Sequence, residues 1–209
     1  MTWAVVIPFK GAPRSKSRLA ERFDDATRHA LALAFLQDTV AAVRGAAGVA
    51  SVVVVSNEPG LPGLLEGDET AAELTFVPDP GDGLNAAIEA GLRAARAADP
   101  DAHRAALLGD LPELRPEELA AALAAAARHP LAFVTDAAGT GTTLIALAPG
   151  QNATPHFGAG SAAAHEAAGF APLELPPDSG LRRDVDAPAD LDALRAPGPH
   201  TRQVLAALR

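Results

Sequence analysis

The sequence predicts one α/β domain over residues 1–209, with a mainly parallel central sheet flanked by helices. Short β-type runs alternate with helical stretches of about ten or more residues, which is typical of βαβ units. The runs VVVV (52–55) and AALL (105–108) are apolar at every position, as strands covered by helices on both faces require. A chain of 209 residues also buries enough surface to fold without a disulfide or a structural metal.

The predicted strands are apolar or β-branched runs bounded by turn residues. The clearest is SVVVVS, and LTFV is a short strand before a Pro-Asp-Pro-Gly turn. The helices are marked by their ends: Asp24 or Asp25 can cap the first, and Gly45 can end it. In chain order we expect a strand over 3–8, a helix over 25–44, strands over 51–56 and 74–77, a helix over 84–98, a strand over 105–109, a helix over 115–128, strands over 131–136 and 142–148 around a glycine-rich turn, a helix over 161–169, and a turn into a final helix within 181–194.

Composition limits the function classes. The formal net charge is -9 and the pI is about 5.0, which argues against a protein that binds nucleic acid or a membrane surface. No signal peptide is visible and no apolar run reaches the length of a membrane span, so we expect a cytoplasmic protein. The chain has no cysteine, which excludes disulfides and thiolate metal sites.

Positive charge is concentrated in the loop after the first strand, although the protein is acidic. This loop holds the only two lysines, Lys10 and Lys16, together with Arg14, Arg18 and Arg22. Ligands of such sheets bind beyond the carboxyl ends of the strands, and a basic loop there suits a polyphosphate. The alternative is a solvated basic loop. Neither a G-x-x-x-x-G-K-[ST] loop nor a G-x-G-x-x-G fingerprint is present.

Carboxylates form the second candidate group. Asp110 follows the apolar strand of residues 105–109, and Asp184 and Asp186 alternate around Val185, so both would share one face of an extended segment. Together they could hold one or two Mg²⁺ ions, because Mg²⁺ takes carboxylates plus substrate phosphates. The alternative is that Asp110 is a turn residue. Asp190 is predicted to cap the last helix.

Two loops rich in glycine and hydroxyl groups form the third candidate group. DAAGTGTTLIAL (136–147) supplies Thr142 and Thr143, and HFGAGSAAAH (156–165) supplies Gly158 and Ser161. They could hold a small anion, or they could be ordinary loops in which Ser161 is an N-cap. His165 alone is expected to be a solvated or capping histidine. Asn85, in the first turn of a predicted helix, could contact ribose or phosphate, or could be only a polar residue near a helix start.

Six motifs occur in one order between about Ile7 and Leu191: P-F-K-x₅-K-S-R-L, G-L-N-x-A-I, L-G-D-L-P, G-T-G-T-T-L, F-G-x-G-S-x-x-x-H and D-V-D-x-P-x-D-L. In this order the chain resembles the guanylyltransferases of deazaflavin coenzyme F420 biosynthesis. The resemblance implies a Rossmann-like, GT-A-type nucleotidyltransferase fold. It also implies transfer of GMP from GTP to a phosphorylated carboxylic acid, phosphoenolpyruvate or 2-phospho-L-lactate, with release of pyrophosphate.

The resemblance also assigns residues. Lys10, Lys16 and Arg18 would hold the GTP phosphates, with Asn85 facing the nucleotide. Asp110, Asp184 and Asp186 would hold Mg²⁺, and Lys16 and Asp110 would be the catalytic pair. Thr143, Gly158 and Ser161 would bind the acceptor.

Alternatives to this reading stay open. A composition typical of a high-GC bacterium favours phosphoenolpyruvate as the acceptor over 2-phospho-L-lactate or 3-phosphoglycerate. The other function classes are a sugar or cofactor nucleotidyltransferase, a GT-A glycosyltransferase, and a non-catalytic nucleotide-binding module. The oligomeric state is left open, with a homodimer as one option.

Overall fold

A computed structural model describes residues 1–11, 16–65 and 72–208. Within these residues seven strands form one sheet with the order β3-β2-β1-β4-β6-β5-β7. The strands are β1 (Trp3–Pro8), β2 (Val49–Val55), β3 (Glu73–Val77), β4 (His103–Leu107), β5 (Leu131–Thr135), β6 (Thr142–Leu147) and β7 (Ala171–Pro172).

The prediction of a mainly parallel sheet is confirmed. Strands β3, β2, β1 and β4 are parallel neighbours, and β7 is parallel to β5. Only β6 runs the other way among the strands that the structure describes, antiparallel to both β4 and β5. Strand β6 therefore brings its first residues, Thr142 and Thr143, to the edge where β4 and β5 end.

Helices cover both faces of the sheet. They are α1 (Asp25–Arg44), α2 (Leu61–Leu65), α3 (Leu84–Ala98), α4 (Pro116–Ala126), α5 (Ser161–Ala167), α6 (Pro188–Asp192) and α7 (Pro199–Ala207), with 3-10 turns at Ser17–Glu21 and Gly180–Arg182. The Asp24 side chain accepts from Thr27 N and caps α1, as predicted. Nowhere in 1–11, 16–65 or 72–208 is a helix both long and apolar enough to cross a membrane.

Alternate residues of β1 face opposite helical layers. Val5 and Ile7 lie in a cluster with residues of α1 and α4, whereas Ala4 and Val6 lie in a second cluster with α3. All four side chains are at most 2% exposed, which is why this strand reads as a continuous apolar run.

A third, smaller cluster ties the basic loop to the carboxylate segment. Leu19, from the 3-10 turn after Lys16, packs with Leu31 and Phe35 of α1 and with Val185, between Asp184 and Asp186. Val185 N also donates to the Asp110 carbonyl oxygen over 3.1 Å. Segments far apart in sequence are thereby fixed at the end of β4.

Gly91 should be required for the close packing of α3 against the sheet. A Cβ at this position would lie 2.8 Å from Val55 Cγ2 and closer still to Val6 Cγ1. We therefore expect Gly91→Ala to lower the free energy of unfolding by about 1–3 kcal/mol, the usual cost of overpacking. Urea denaturation would measure this change.

Gly63→Ala is the matched control, since a Cβ there meets no atom within 4 Å. It should be neutral or slightly stabilising. Equal free energies of unfolding for the two variants would contradict the packing role of Gly91.

Candidate active site

Three carboxylates meet at the carboxyl edge of the sheet. Asp110, Asp184 and Asp186 each offer one oxygen, and these oxygens lie within 4.8 Å of one another. Asp110 follows the end of β4, and the buried Val185 points into the core, which turns its two neighbours toward Asp110. As the alternation around Val185 predicts, Asp184 and Asp186 lie on the same side of their segment. The Asp190 carboxylate accepts from Asp186 N and Ala187 N, so it caps a helix start as predicted, but it does so from the third position of α6, which is followed by α7 and is not the last helix.

The Lys16 ammonium group lies among these carboxylates. Its Nζ donates to Asp110 Oδ2 and, over 3.0 Å, to Asp186 Oδ1, and its side chain is 8% exposed. Burial alone would lower the pKa of Lys16, but the carboxylates of Asp110 and Asp186 outweigh it and raise this pKa above its usual value. Lys16 is therefore charged near neutral pH.

Lys16 also has an unusual backbone. Its φ of 58° and ψ of 42° are left-handed, and it is the only non-glycine residue with positive φ among residues 1–11, 16–65 and 72–208. Such a conformation is uncommon for a side chain with a Cβ and is typically kept where the surroundings demand it. Here the side chain reaches the carboxylates and not solvent.

Asp184 is the carboxyl group whose ionisation is most perturbed. Burial, followed by the negative charges of Asp110 and Asp186, raises the pKa of Asp184 to about 7, although the Lys16 ammonium opposes the shift. The folded protein therefore holds a proton here that the unfolded chain, with a pKa of 3.8, would release. This stabilisation is complete below the unfolded value and is lost as pH rises through about 7.

We expect this proton to be visible in thermal unfolding. In metal-free buffer, the Tm of the protein should fall more steeply than that of Asp184→Asn between about pH 5 and about pH 8, because the amide cannot ionise. Differential scanning calorimetry across this range is the measurement. Parallel Tm curves for the two proteins would contradict the raised pKa of Asp184.

Two adjacent cavities open onto the carboxylates and share Asp110. The first, the lysine cavity, has a volume of about 210 Å³, and Lys10 and Lys16 line it. The second, the glycine-loop cavity, has a volume of about 480 Å³. Its lining comprises Arg18, Leu84, Leu108, Asp110, Asp136, Thr140–Thr142, Phe157–Ser161, Asp184 and Asp186.

Unpaired polar atoms mark the glycine-loop cavity as a site for a polar ligand. Ser161 is 1% exposed, and its hydroxyl has no hydrogen-bond partner among the described residues. Asp110 Oδ1 is likewise buried and unpaired within that part of the chain. Leaving such atoms unsatisfied costs free energy, so they are typically paired when a ligand binds. A groove of about 720 Å³ near the C-terminal helices lacks the carboxylate cluster and is not the candidate site.

The structure brings most of the sequence-predicted residues to these cavities. Arg18 and Gly158 line the glycine-loop cavity and are exposed, and Lys10 is exposed at the lysine cavity. Thr142 lines the glycine-loop cavity, whereas Thr143 is fully buried, with its hydroxyl unpaired among the described residues. Arg14 lies outside the described residues.

Asn85 has a structural role that the sequence does not predict. Its Nδ2 donates to the Phe157 carbonyl oxygen over 3.1 Å, and its Oδ1 accepts from Phe157 N over 2.8 Å. Both polar atoms of the Asn85 amide are thus hydrogen-bonded to the backbone of Phe157. Asn85 therefore anchors the loop that begins at Phe157, and its contact with the nucleotide stays a prediction.

The expectation that His165 is solvated or capping is wrong. Its side chain is fully buried, and both ring nitrogens are hydrogen-bonded, one to Thr142 and one to the backbone of His156. Its burial could have been predicted from spacing, because His165 lies four residues after Ser161 and therefore shares the buried face of α5.

Comparisons with known proteins agree with this geometry. The model of the MobA-like NTP transferase domain matches residues 29–170. The phosphoenolpyruvate guanylyltransferase of Streptomyces coelicolor is 48% identical over 212 residues, covering 100% of this chain and 98% of that protein. The enzyme of the same name from Thermomonospora curvata is 46% identical, with coverage of 100% and 90%.

Solved structures show the same fold. One assigned as a nucleotide-diphospho-sugar transferase, from Desulfovibrio desulfuricans G20, has a TM-score of 0.73 at 18% identity and covers 99% of this chain and 95% of its own. A Mycobacterium tuberculosis H37Rv protein, solved as a manganese complex, has a TM-score of 0.54 at 16% identity, with coverage of 93% and 98%. The chain therefore belongs to the family of the phosphoenolpyruvate guanylyltransferases, nucleotidyltransferases with a MobA-like domain.

Proposed function

We propose that this protein transfers GMP from GTP to phosphoenolpyruvate, giving enolpyruvyl-diphospho-5′-guanosine and pyrophosphate, as a step of coenzyme F420 biosynthesis. The observation that carries the proposal is that two cavities meet at Asp110. Two anionic substrates can thus approach one carboxylate cluster from different sides. The names of the relatives supply the identities of GTP and phosphoenolpyruvate.

The donor set of the cluster fits Mg²⁺, as one or two ions. Carboxylate oxygens are the hard ligands that Mg²⁺ prefers, and Asp110, Asp184 and Asp186 place three of them within 4.8 Å. Asp110 Oδ1 is buried without a partner among the described residues, which leaves it free for a cation. When bound, Mg²⁺ would neutralise the charge of the phosphate oxygens around the reacting phosphorus.

The residues of the chain position and neutralise the substrates. A phosphate oxygen of the acceptor forms the new bond to the α-phosphorus of GTP, and the bond between that phosphorus and the β-bridging oxygen breaks, releasing pyrophosphate. The attacking oxygen is already anionic near neutral pH, so this reaction needs no general base. Lys10 and Lys16, which line the lysine cavity, supply positive charge to the GTP phosphates, and Lys16 stands closest to the carboxylates. Arg18 lines the glycine-loop cavity, so it would reach these phosphates from the side of the acceptor. Holding both reactants in line accounts for the rest of the catalysis.

The direct test is pyrophosphate release from GTP and Mg²⁺, with phosphoenolpyruvate, 2-phospho-L-lactate and 3-phosphoglycerate offered separately. We expect fast release with phosphoenolpyruvate alone. Release only with 2-phospho-L-lactate would keep the reaction class and change the acceptor. Absence of release with every acceptor, from folded protein that binds GTP, would contradict the proposed activity.

Ser161 should serve the acceptor rather than the nucleotide. Because its buried hydroxyl has no other partner among the described residues and lines the glycine-loop cavity, we expect Ser161→Ala to raise KM for the acceptor about tenfold or more. KM for GTP should change little. Steady-state kinetics with each substrate varied in turn would measure both values.

Ser51→Ala is the control, since Ser51 lies in β2 and lines neither cavity. It should leave both constants unchanged. An effect of Ser161→Ala confined to GTP would mean that the two cavities have the opposite roles.

A further inference from the structure

His165 joins the two glycine-rich loops through both nitrogens of its ring. Nδ1 lies 2.9 Å from Thr142 Oγ1, at the start of β6, and Nε2 accepts from His156 N over 3.0 Å. Phe133, Phe157 and Phe170 surround the ring, with centroids 5.9, 5.4 and 5.1 Å away. The ring is fully buried and cannot contact a ligand itself.

The hydrogen bonds fix the tautomer of this ring. A backbone N–H can only donate, so Nε2 must present its lone pair to His156 N. In a neutral imidazole the proton is then on Nδ1, which donates to Thr142 Oγ1. Burial, assisted by the neighbouring His156, lowers the pKa of His165 to about 4, although an interaction with the backbone of Ser161 opposes the shift. The neutral ring with Nδ1–H is therefore the form near neutral pH.

This tautomer decides the role of the Thr142 hydroxyl. Its oxygen accepts from His165, so its own proton is available to another acceptor. Within the described residues this hydroxyl has no other hydrogen-bond partner, and Thr142 lines the glycine-loop cavity together with Ser161. Thr142 is 4% exposed, so bulk solvent offers this proton little, and a ligand in the glycine-loop cavity can accept it.

We propose that His165 is a positioning residue that holds the Thr142 hydroxyl as a hydrogen-bond donor to the carboxylate of the acceptor. This inference rests on the proposed function, which places a small phosphorylated carboxylic acid in the glycine-loop cavity. Thr142 and Ser161 then present two hydroxyl donors to the same anionic group. Asn85 holds Phe157, near the start of the second glycine-rich loop, through its backbone. The start of this loop is also tied to Thr142 through the His165 ring.

Variants of Thr142 test the donor directly. Thr142→Val keeps the shape and removes the hydroxyl, and should raise KM for phosphoenolpyruvate at least about tenfold. Thr142→Ser keeps the hydroxyl and should stay within about threefold of the unsubstituted protein. KM for GTP should stay within about twofold in both variants. Equal effects of valine and serine, or equal changes for both substrates, would overturn the proposal.

Variants of His165 test the positioning. Asparagine can reproduce the Nδ1–H donor toward Thr142, whereas glutamine can reproduce only the Nε2 acceptor for His156. His165→Asn should therefore raise KM for phosphoenolpyruvate less than His165→Gln. Adding His165→Gln to Thr142→Val should raise this KM little further, because both changes remove the same donor. Additive increases in KM for the double variant would mean that His165 does not act through Thr142 and has only a structural role.

Two checks separate the possible failures. If a His165 variant does not fold, as judged by circular dichroism and Tm, the Thr142 pair decides alone. If the unsubstituted protein releases no pyrophosphate with phosphoenolpyruvate, the proposed function is contradicted and this inference falls with it. If it turns over normally and Thr142→Val is unchanged, only this inference is overturned.

Discussion

Asp110→Asn should lower kcat at least about 10²-fold, and Asp186→Asn should do the same, because a preorganised electrostatic contact in an active site is worth this much. Asparagine keeps the shape of the side chain and removes its charge. Both carboxylates contact the Lys16 ammonium, and Asp110 also belongs to both cavities. Neutralising either one should therefore disturb the cation site and the placement of Lys16 together. Pyrophosphate release at saturating GTP, phosphoenolpyruvate and Mg²⁺ would measure kcat.

Asp192→Asn is the matched control. The Asp192 side chain is 63% exposed and pairs with Arg22 in the structure, outside the carboxylate cluster. Its loss should leave kcat unchanged, since an exposed ion pair contributes little. Wild-type-like rates for both Asp110→Asn and Asp186→Asn would demote these carboxylates to turn and capping roles.

Lys16→Gln should lower kcat/KM for GTP at least about 10²-fold, with most of the loss in kcat. Lys16 is the buried cation at the carboxylate cluster, and the glutamine side chain cannot supply its charge. Lys16→Arg should not restore the rate, because a planar guanidinium cannot replace a compact ammonium held between Asp110 and Asp186. Single-turnover measurements with saturating GTP would separate the chemical step from binding.

Lys10→Gln separates the roles of the two lysines. Lys10 is exposed at the lysine cavity, so its loss should raise KM for GTP and leave kcat nearly unchanged. A Lys16→Gln variant that behaves like Lys10→Gln would show that Lys16 binds GTP without a specific contribution to the transition state.

The sequence predicts the order of the main strands and helices well because their signals are local. Apolar runs mark β1, β2 and β4, and Asp24 and Gly45 mark the two ends of α1. Helix α2 was not expected, since LPGLL is short and contains proline and glycine. The C-terminal region forms two helices, α6 and α7, where one was expected, because Pro199 begins a new helix.

The candidate site is predictable where residues follow strand ends. Asp110 is expected at the carboxyl edge of the sheet because it follows the apolar run of residues 105–109. Asp184 and Asp186 follow a 3-10 turn and not a strand, so they are grouped with Asp110 only by their alternation around Val185 and by the family resemblance. The partners of Asn85 and His165 could not be predicted in this way. Asn85 bonds a backbone 72 residues later, and His165 bonds a side chain 23 residues earlier. Such pairs depend on the packing of loops, which local patterns do not encode.

Because β6 runs in the opposite direction, the two cavities of the proposed site are built mainly from different parts of the sequence. The lysine cavity is lined by residues up to Asp110, whereas the loops of the glycine-loop cavity come from residues 136–142 and 157–161. A hairpin turn between β5 and β6 can change in length or sequence without altering any strand pairing near Lys10 and Lys16. Relatives with this architecture can thus diverge in the small molecule they modify while keeping one nucleotide, and exchange of residues 136–161 between two of them should transfer the choice of acceptor.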